Sequence, residues 1–356
     1  MTRSRARSRF SIGRSRGQSM NADKHQSNEA SRENGGRWNW RMFLVKYGLL
    51  VAAVMIWIVF SALQHRFYSP INIFSIIRQA SIIGILGLGL GGIVINGDFD
   101  MSFAANTSLV GVIAITMMMN EANPVLIFVV GIALGTAIGF VNALLVVRAR
   151  IPAFIATMGM MIFLQGIAKY VTGGAEIYPL HVPTFYKLFG STYTFGVIPN
   201  AVFTFAIIGF AAVIFYGYSR RGRYMYASGG NPDAASHVGL NVRMNRTLAF
   251  VIGGCLSGVA GLLLISMLRA ANPSIGQGYL FPTVITVFLG SLFLKGGVVN
   301  APGIILSAVF MASLSNGFTM IGLPFYAKDI AQGLILVIAL LGICVLGRRP
   351  MRDIKL

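Results

Sequence analysis

Two groups of residues in this 356-residue chain have types and spacing that could do chemistry. The first is a set of amides and one carboxylate placed in otherwise apolar sequence: Asn96, Asp98, Asn106, Asn142, Gln165 and Asn316. A few hydrogen-bonding groups in an apolar wall could bind a small polar solute; the same groups also suit helix packing and capping. The second is a polar stretch between apolar blocks, Arg220 to Val242. Within it Asn231 is a good N-cap, Pro232 suits the first helical position, Asp233 sits at the positive end of the helix dipole, and Gly239 can adopt the left-handed conformation that stops a helix. The segment Gly230, Asn231, Pro232, Asp233, Ala234, Ala235 to Gly239 is therefore expected to be a helix of about seven residues. Such a short helix is marginal alone, because nucleation is costly, and so implies something to pack against. A plain capped loop is the other reading.

The break Asn96-Gly-Asp-Phe-Asp-Met-Ser102 also interrupts apolar sequence with two carboxylates. Charge at membrane depth marks a pathway or a partner, whereas near a membrane face an Asp that caps the next helix is equally sensible. Both readings are open. The chain lacks the Gly-rich phosphate loop of nucleotide hydrolases and the His-Glu-x-x-His and Gly-x-Ser-x-Gly motifs, so no enzyme chemistry is expected. Cys255 and Cys344 form neither a metal spacing nor a disulfide framework.

The elements that must position these residues are membrane helices. The sequence is 55% hydrophobic and 11% charged, with a mean hydropathy of +0.72, whereas a soluble domain carries about 25% charged residues. The expected fold is an all-α polytopic membrane protein with about ten spans, at 43–63, 71–95, 102–119, 124–147, 152–172, 197–218, 247–268, 281–294, 302–319 and 326–347. The net charge of +19 would suggest nucleic acid, but 11 of the 29 Lys/Arg fall in the first 46 residues and the rest cluster at segment ends. Arg148 and Arg150, then Arg220, Arg221 and Arg223, then Arg348, Arg349 and Arg352 would all lie on the cytoplasmic side, as the positive-inside bias requires. Both termini would then be cytoplasmic. Residues 1–42 read as a disordered basic cytoplasmic tail that obeys this bias or touches anionic lipid. Nucleic acid is the other reading of its Arg-Ser-Arg-Ala-Arg-Ser-Arg run, and is not among the expected partners. Residues 43–347 form the transmembrane domain and 348–356 a cytoplasmic C-terminal tail. Of the 42 glycines, Gly131, Gly135 and Gly139 line one helix face at spacing four, which lets helix backbones approach closely in lipid.

From residue 45 to 347 the chain resembles the permease subunits of bacterial ATP-binding-cassette importers for monosaccharides, the ribose, xylose, arabinose and galactose group. The segment Gly222-Arg-Tyr-Met-Tyr-Ala-Ser-Gly-Gly-Asn-Pro-Asp-Ala-Ala-Ser-His-Val-Gly-Leu-Asn-Val242 is similar to that group's G-R-x-x-Y-A-x-G-G-N-x-x-A-A-x-x-x-G-I-x-V pattern. Ile151 to Gly159, Thr172-Gly-Gly174, Pro273 to Tyr279 and Ser315-Asn-Gly317 resemble further elements of it. Three elements depart from the pattern: Gly97 to Ala104, Leu280 and Phe281 after Tyr279, and Gly290 to Gly297. The architecture and the ATPase contact remain as expected, while the departures bear on the solute and would suit pairing with a different permease.

The resemblance implies a type II importer permease of the bacterial inner membrane, with residues 230–239 as the cytoplasmic coupling helix that docks on a partner ATPase subunit. Its other implied partners are the lipid bilayer, a periplasmic solute-binding protein and a second permease chain, either identical or paralogous. ATP and Mg would be bound by the ATPase and no cofactor by this chain. The loop Gly173 to Gly196, with Glu176, Tyr178, His181, Tyr186 and Lys187, would receive the solute-binding protein or be a plain surface loop. Two alternatives stand beside a sugar permease: a permease of the same kind for a nucleoside, autoinducer-type solute or vitamin, and a secondary transporter driven by ions through Asp98, Asp100 or Asp329.

Overall fold

Six helices begin where an Asn or Ser side chain accepts from a first-turn backbone amide and, in four of them, a proline occupies the first or second position. The computed structural model describes residues 40–194, 198–293 and 297–347. Its contacts divide the chain into two units, 1–44 and 45–356, and every element from residue 45 onward belongs to the second. The long helices are α1 (Trp40–Leu63), α2 (Pro70–Ile95), α3 (Phe103–Met119), α4 (Pro124–Ala143), α5 (Ala153–Thr172), α6 (Asn200–Tyr218), α9 (Val242–Leu268), α10 (Leu280–Leu292), α11 (Ala301–Met320) and α12 (Phe325–Gly347). Between α6 and α9 lie two shorter ones, α7 (Arg220–Gly230) and α8 (Pro232–His237). Ser69 caps α2, Asn123 caps α4 and Asn300 caps α11, each accepting from a first-turn amide next to a proline at the first or second position, the place where a missing N–H costs nothing.

Each of the ten expected apolar segments coincides with a helix to within a few residues, and among the described residues six are long and apolar enough to cross a membrane: α2, α4 with its π-turn Leu144–Arg148, α5, α6, α9 and α11. The remaining four do not all match a bilayer. At 13 residues, α10 is about 20 Å long, well under a hydrocarbon core of about 30 Å. Residues 40–42 are helical rather than tail; the rest of the expected N-terminal tail and the C-terminal one lie outside the described residues.

In this arrangement α2, α9 and α11 are mostly buried, whereas α4, α5 and α6 are largely exposed. Helices α4 and α9 approach backbone to backbone. There the glycine stripe read from the sequence meets a second one: a Cβ placed on Gly135 would lie 2.6 Å from the Gly254 carbonyl oxygen and 2.7 Å from the Gly258 Cα. Both obstacles are backbone and cannot rotate away. Gly135→Leu is therefore expected to force α4 off α9 and lower the melting temperature in detergent, at a cost of at least the roughly 1–3 kcal/mol typical of overpacking. Gly166→Leu, at a glycine with open space around it, should leave the melting temperature unchanged.

Candidate functional site

The polar stretch folds as two helices. Ser219 accepts from Gly222 N and starts α7, then Asn231 Oδ1 accepts from Ala234 N at 3.0 Å and starts α8. Asp233 is in the first turn of α8, and Gly239 follows its end with φ +81°. Local signals thus place α8 as expected, one residue shorter. Sequence reasoning missed α7, because Gly222, Gly229 and Gly230 each weaken a helix by about 1 kcal/mol. Its usable signal was the spacing of Gly222, Met225 and Ser228, which form one buried face.

Three contacts anchor α7. A Cβ on Gly229 would strike the Ile95 carbonyl, so α7 lies directly against the end of α2. Asn245 of α9 donates from Nδ2 to Ser228 Oγ at 2.8 Å. Tyr226 Oη donates to the Val299 carbonyl, just before α11, at 2.7 Å. In contrast, α8 touches the bundle through Ala235, while Asn231, Pro232, Asp233, Ala234 and Ser236 are exposed, and Val238 is 76% exposed. A rigid base therefore carries a free, partly apolar face.

Beside this base, the break between α2 and α3 is more structured than a solvated turn. Arg246 of α9 grips Asp98 bidentately, with Nε to Oδ2 at 2.7 Å and Nη2 to Oδ1 at 2.6 Å, and the Asp98 side chain is only 7% exposed. Asp100 is buried and accepts from Ser102 N at 2.6 Å and Ser102 Oγ at 2.7 Å. Burial pushes its carboxyl above the usual range, while bonds from Ser102 and then Asn142 pull it back. Asn142 Nδ2 donates to Ser102 Oγ at 2.7 Å, and Met101 N donates to Thr157 Oγ1 at 3.0 Å, tying α5 to the break. Asp329, the third carboxylate considered for ion coupling, is exposed.

The six polar residues singled out from the sequence do not share one cavity. Asn96 donates to the Gly92 carbonyl, a local bond at the end of α2, and Asn106 donates to the Gly135 carbonyl, a bond between α3 and α4. Gln165 and Asn316 are half-buried on α5 and α11. The side-chain oxygens of Asn96, Asn106, Asn142 and Asn316 are buried without a partner. A polar cavity of about 200 Å³ lies elsewhere, nearer the start of α2, lined by Gln79, Tyr279, Ser315, Lys328 and Gln332 together with Ile83, Gly278, Pro282 and Met311. Among the described residues, the side chains of Gln79, Ser315, Lys328 and Gln332 have no hydrogen-bond partner. The sequence marked Tyr279 and Ser315 only as parts of motifs, and its candidate for the solute was the neighbour, Asn316. A larger space of about 630 Å³ between α1 and α11 is walled almost wholly by apolar side chains, among them Val54, Ile58 and Leu306, and suits no polar solute.

At that same end, the chain from Gly173 to Thr194 packs on the end of α9 through the bridge Ile177–Ala271. Tyr178 is 67% exposed and Leu180 fully so, but Tyr186 is buried and accepts at its carbonyl from Ser266 Oγ. Tyr186 therefore belongs to the core and is not available to a visiting protein.

Residues 72–340 match the family described as branched-chain amino acid transport system / permease component. Similar curated proteins include the ribose import permease of Escherichia coli strain K12, 29% identical over 86% of this chain and 96% of the relative. The L-arabinose ABC transporter permease of Azospirillum brasilense is 26% identical over 87% and 90% of the two chains, and the galactose/methyl galactoside import permease of Escherichia coli strain K12 is 26% identical over 83% and 93%. No solved structure matches the chain.

Proposed function

This chain belongs to the branched-chain amino acid transport system / permease component family, and from that premise we propose that it is the membrane subunit of an ABC importer for a monosaccharide or similarly small polyhydroxylated solute. The observation that carries the reading is the pairing of an exposed α8 with a base locked to α2, α9 and the segment before α11. A partner ATPase, binding ATP and Mg, would dock on residues 230–239 and move three helices of the bundle at once. A second permease chain would complete the path, with both termini cytoplasmic. A solute-binding protein would meet the exposed Tyr178 and Leu180 at the opposite end.

A sugar is favoured over a branched-chain amino acid by two considerations. The relatives that align along nearly their whole length carry names for pentose and hexose transport. In addition, the cavity at Gln79, Ser315 and Gln332 offers uncommitted amide and hydroxyl groups, which match hydroxyl-bearing solutes. Lys328 in the same cavity supports a second reading, a solute carrying an acidic or carbonyl group.

The test is reconstitution with the ATPase and the solute-binding protein, measuring ATP hydrolysis against a panel of pentoses, hexoses, sugar acids and leucine. Stimulation by a neutral sugar is expected, and Gln332→Leu should reduce it about tenfold by leaving the sugar's hydrogen bonds unmet. Uptake that persists in cells lacking the ATPase would overturn the reading.

A further inference from the structure

We propose that Arg148, Arg150 and Arg243 form a binding site for the phosphodiester headgroup of an anionic phospholipid at the α8 end of the bundle. Two cavities, of about 260 and 450 Å³, meet there. Both are lined by Val147, Arg150 and Arg243; Arg148 joins them in the smaller. A positive-inside bias explains why arginines gather on one face of a membrane protein. It does not explain why three from two separate helix ends converge on one pair of cavities.

Their charge is uncompensated. Among the described residues none of the three guanidiniums has a hydrogen-bond or ion-pair partner. The one carboxylate that lines the site, Asp98, is already held by both nitrogens of Arg246. The first turn of α9 contains no acidic residue and does contain Arg243, which places a cation at the positive end of the helix dipole, where an anion is favoured. A bound phosphate would relieve both defects, and the arginine fork is suited to phosphate oxygens.

The remainder of the site distinguishes a lipid from free phosphate. Ala143, Leu144 and Val147 line the smaller cavity beside the arginines, and Phe140 and Val141, one turn before Leu144 on the same helix, are exposed with it, in a segment long and apolar enough to cross a membrane. A free anion has no use for such a surface; a phospholipid has a charged head and an acyl chain to fill both parts.

The test is native mass spectrometry of the full-length chain in detergent, with phosphatidylglycerol, with phosphatidylcholine of the same acyl chains, and with inorganic phosphate as competitor. Phosphatidylglycerol should bind in preference to phosphatidylcholine, and millimolar phosphate should not displace it. Replacing all three arginines by glutamine should weaken phosphatidylglycerol binding by about a hundredfold, at roughly fivefold per arginine, and leave phosphatidylcholine adducts unchanged. Should the triple variant fail to give monodisperse protein, Arg243→Gln alone should show the single fivefold step. Equal binding of the two lipids, undiminished binding by the arginine variants, or full displacement by phosphate would each overturn the proposal. So would a variant that retains phosphatidylglycerol but no longer co-purifies with the ATPase, since the arginines would then serve that protein contact.

Discussion

Arg246→Met is expected to destabilise the folded chain by about 3 kcal/mol, the lower end of what breaking a buried ion pair costs. The lower end applies because the Arg246 side chain is 31% exposed and partly screened, while Asp98, at 7%, would be left as a nearly buried charge with no counterion. The price is set by the orphaned carboxylate, so the double variant Asp98→Asn/Arg246→Met should recover most of the loss. Chemical unfolding in detergent, followed by helical signal, would show a clear drop for the single variant and a near-native midpoint for the double. A single variant as stable as the parent would mean that the pair has no structural role. If the break between α2 and α3 must also keep its shape for transport, the double variant should transport better than the single one.

The second large effect is expected at Ala234. Ala234→Arg should abolish solute-driven ATP hydrolysis, with uptake reduced by at least a hundredfold, while expression and detergent behaviour stay normal. The side chain lies on the exposed face of α8, and its contribution to the cap is the backbone N–H that meets Asn231 Oδ1, which the substitution preserves. Folding should therefore be indifferent. A docked partner would have to bury an unpaired guanidinium against a close-fitting surface, at a cost of several kcal/mol. Ala234→Ser, small and neutral, should dock and transport as the parent does. Co-purification of the ATPase with each variant, paired with uptake in cells, separates a lost contact from a lost protein; full uptake by Ala234→Arg would remove α8 from the docking role.

The helices were legible because membrane crossing imposes a length and a composition that few other structures share. The capped turn at Asn231 and Pro232 was legible because its hydrogen bond closes within three residues. The α4 stripe was readable from its spacing, although its partner, Gly254 and Gly258, is named only by packing. What the sequence concealed comes from distance along the chain. The Asp98 and Arg246 pair spans 148 positions, and the polar cavity draws on α2, the turn before α10, α11 and α12, with no recurring spacing among Gln79, Tyr279, Ser315, Lys328 and Gln332. Tyr186 looked like a surface aromatic because its loop is polar, yet the fold places it against α9. In α7, tertiary contacts at Met225 and Ser228 overrode the weak helical preference of three glycines.

The contact of Gly229 with the Ile95 carbonyl has a mechanical meaning. Because it is backbone against backbone, a thrust delivered to α7 meets no side chain that could swing aside and absorb it. The thrust enters α2 at its last residue, and Gln79, in the wall of the polar cavity, lies on the same helix 16 residues earlier, about 24 Å away. Buried along most of that length, α2 can act as a push-rod: with the ATPase contact proposed for α8 and the solute site proposed for the polar cavity, a stroke of an ångström or two at one would arrive at the other at nearly full amplitude.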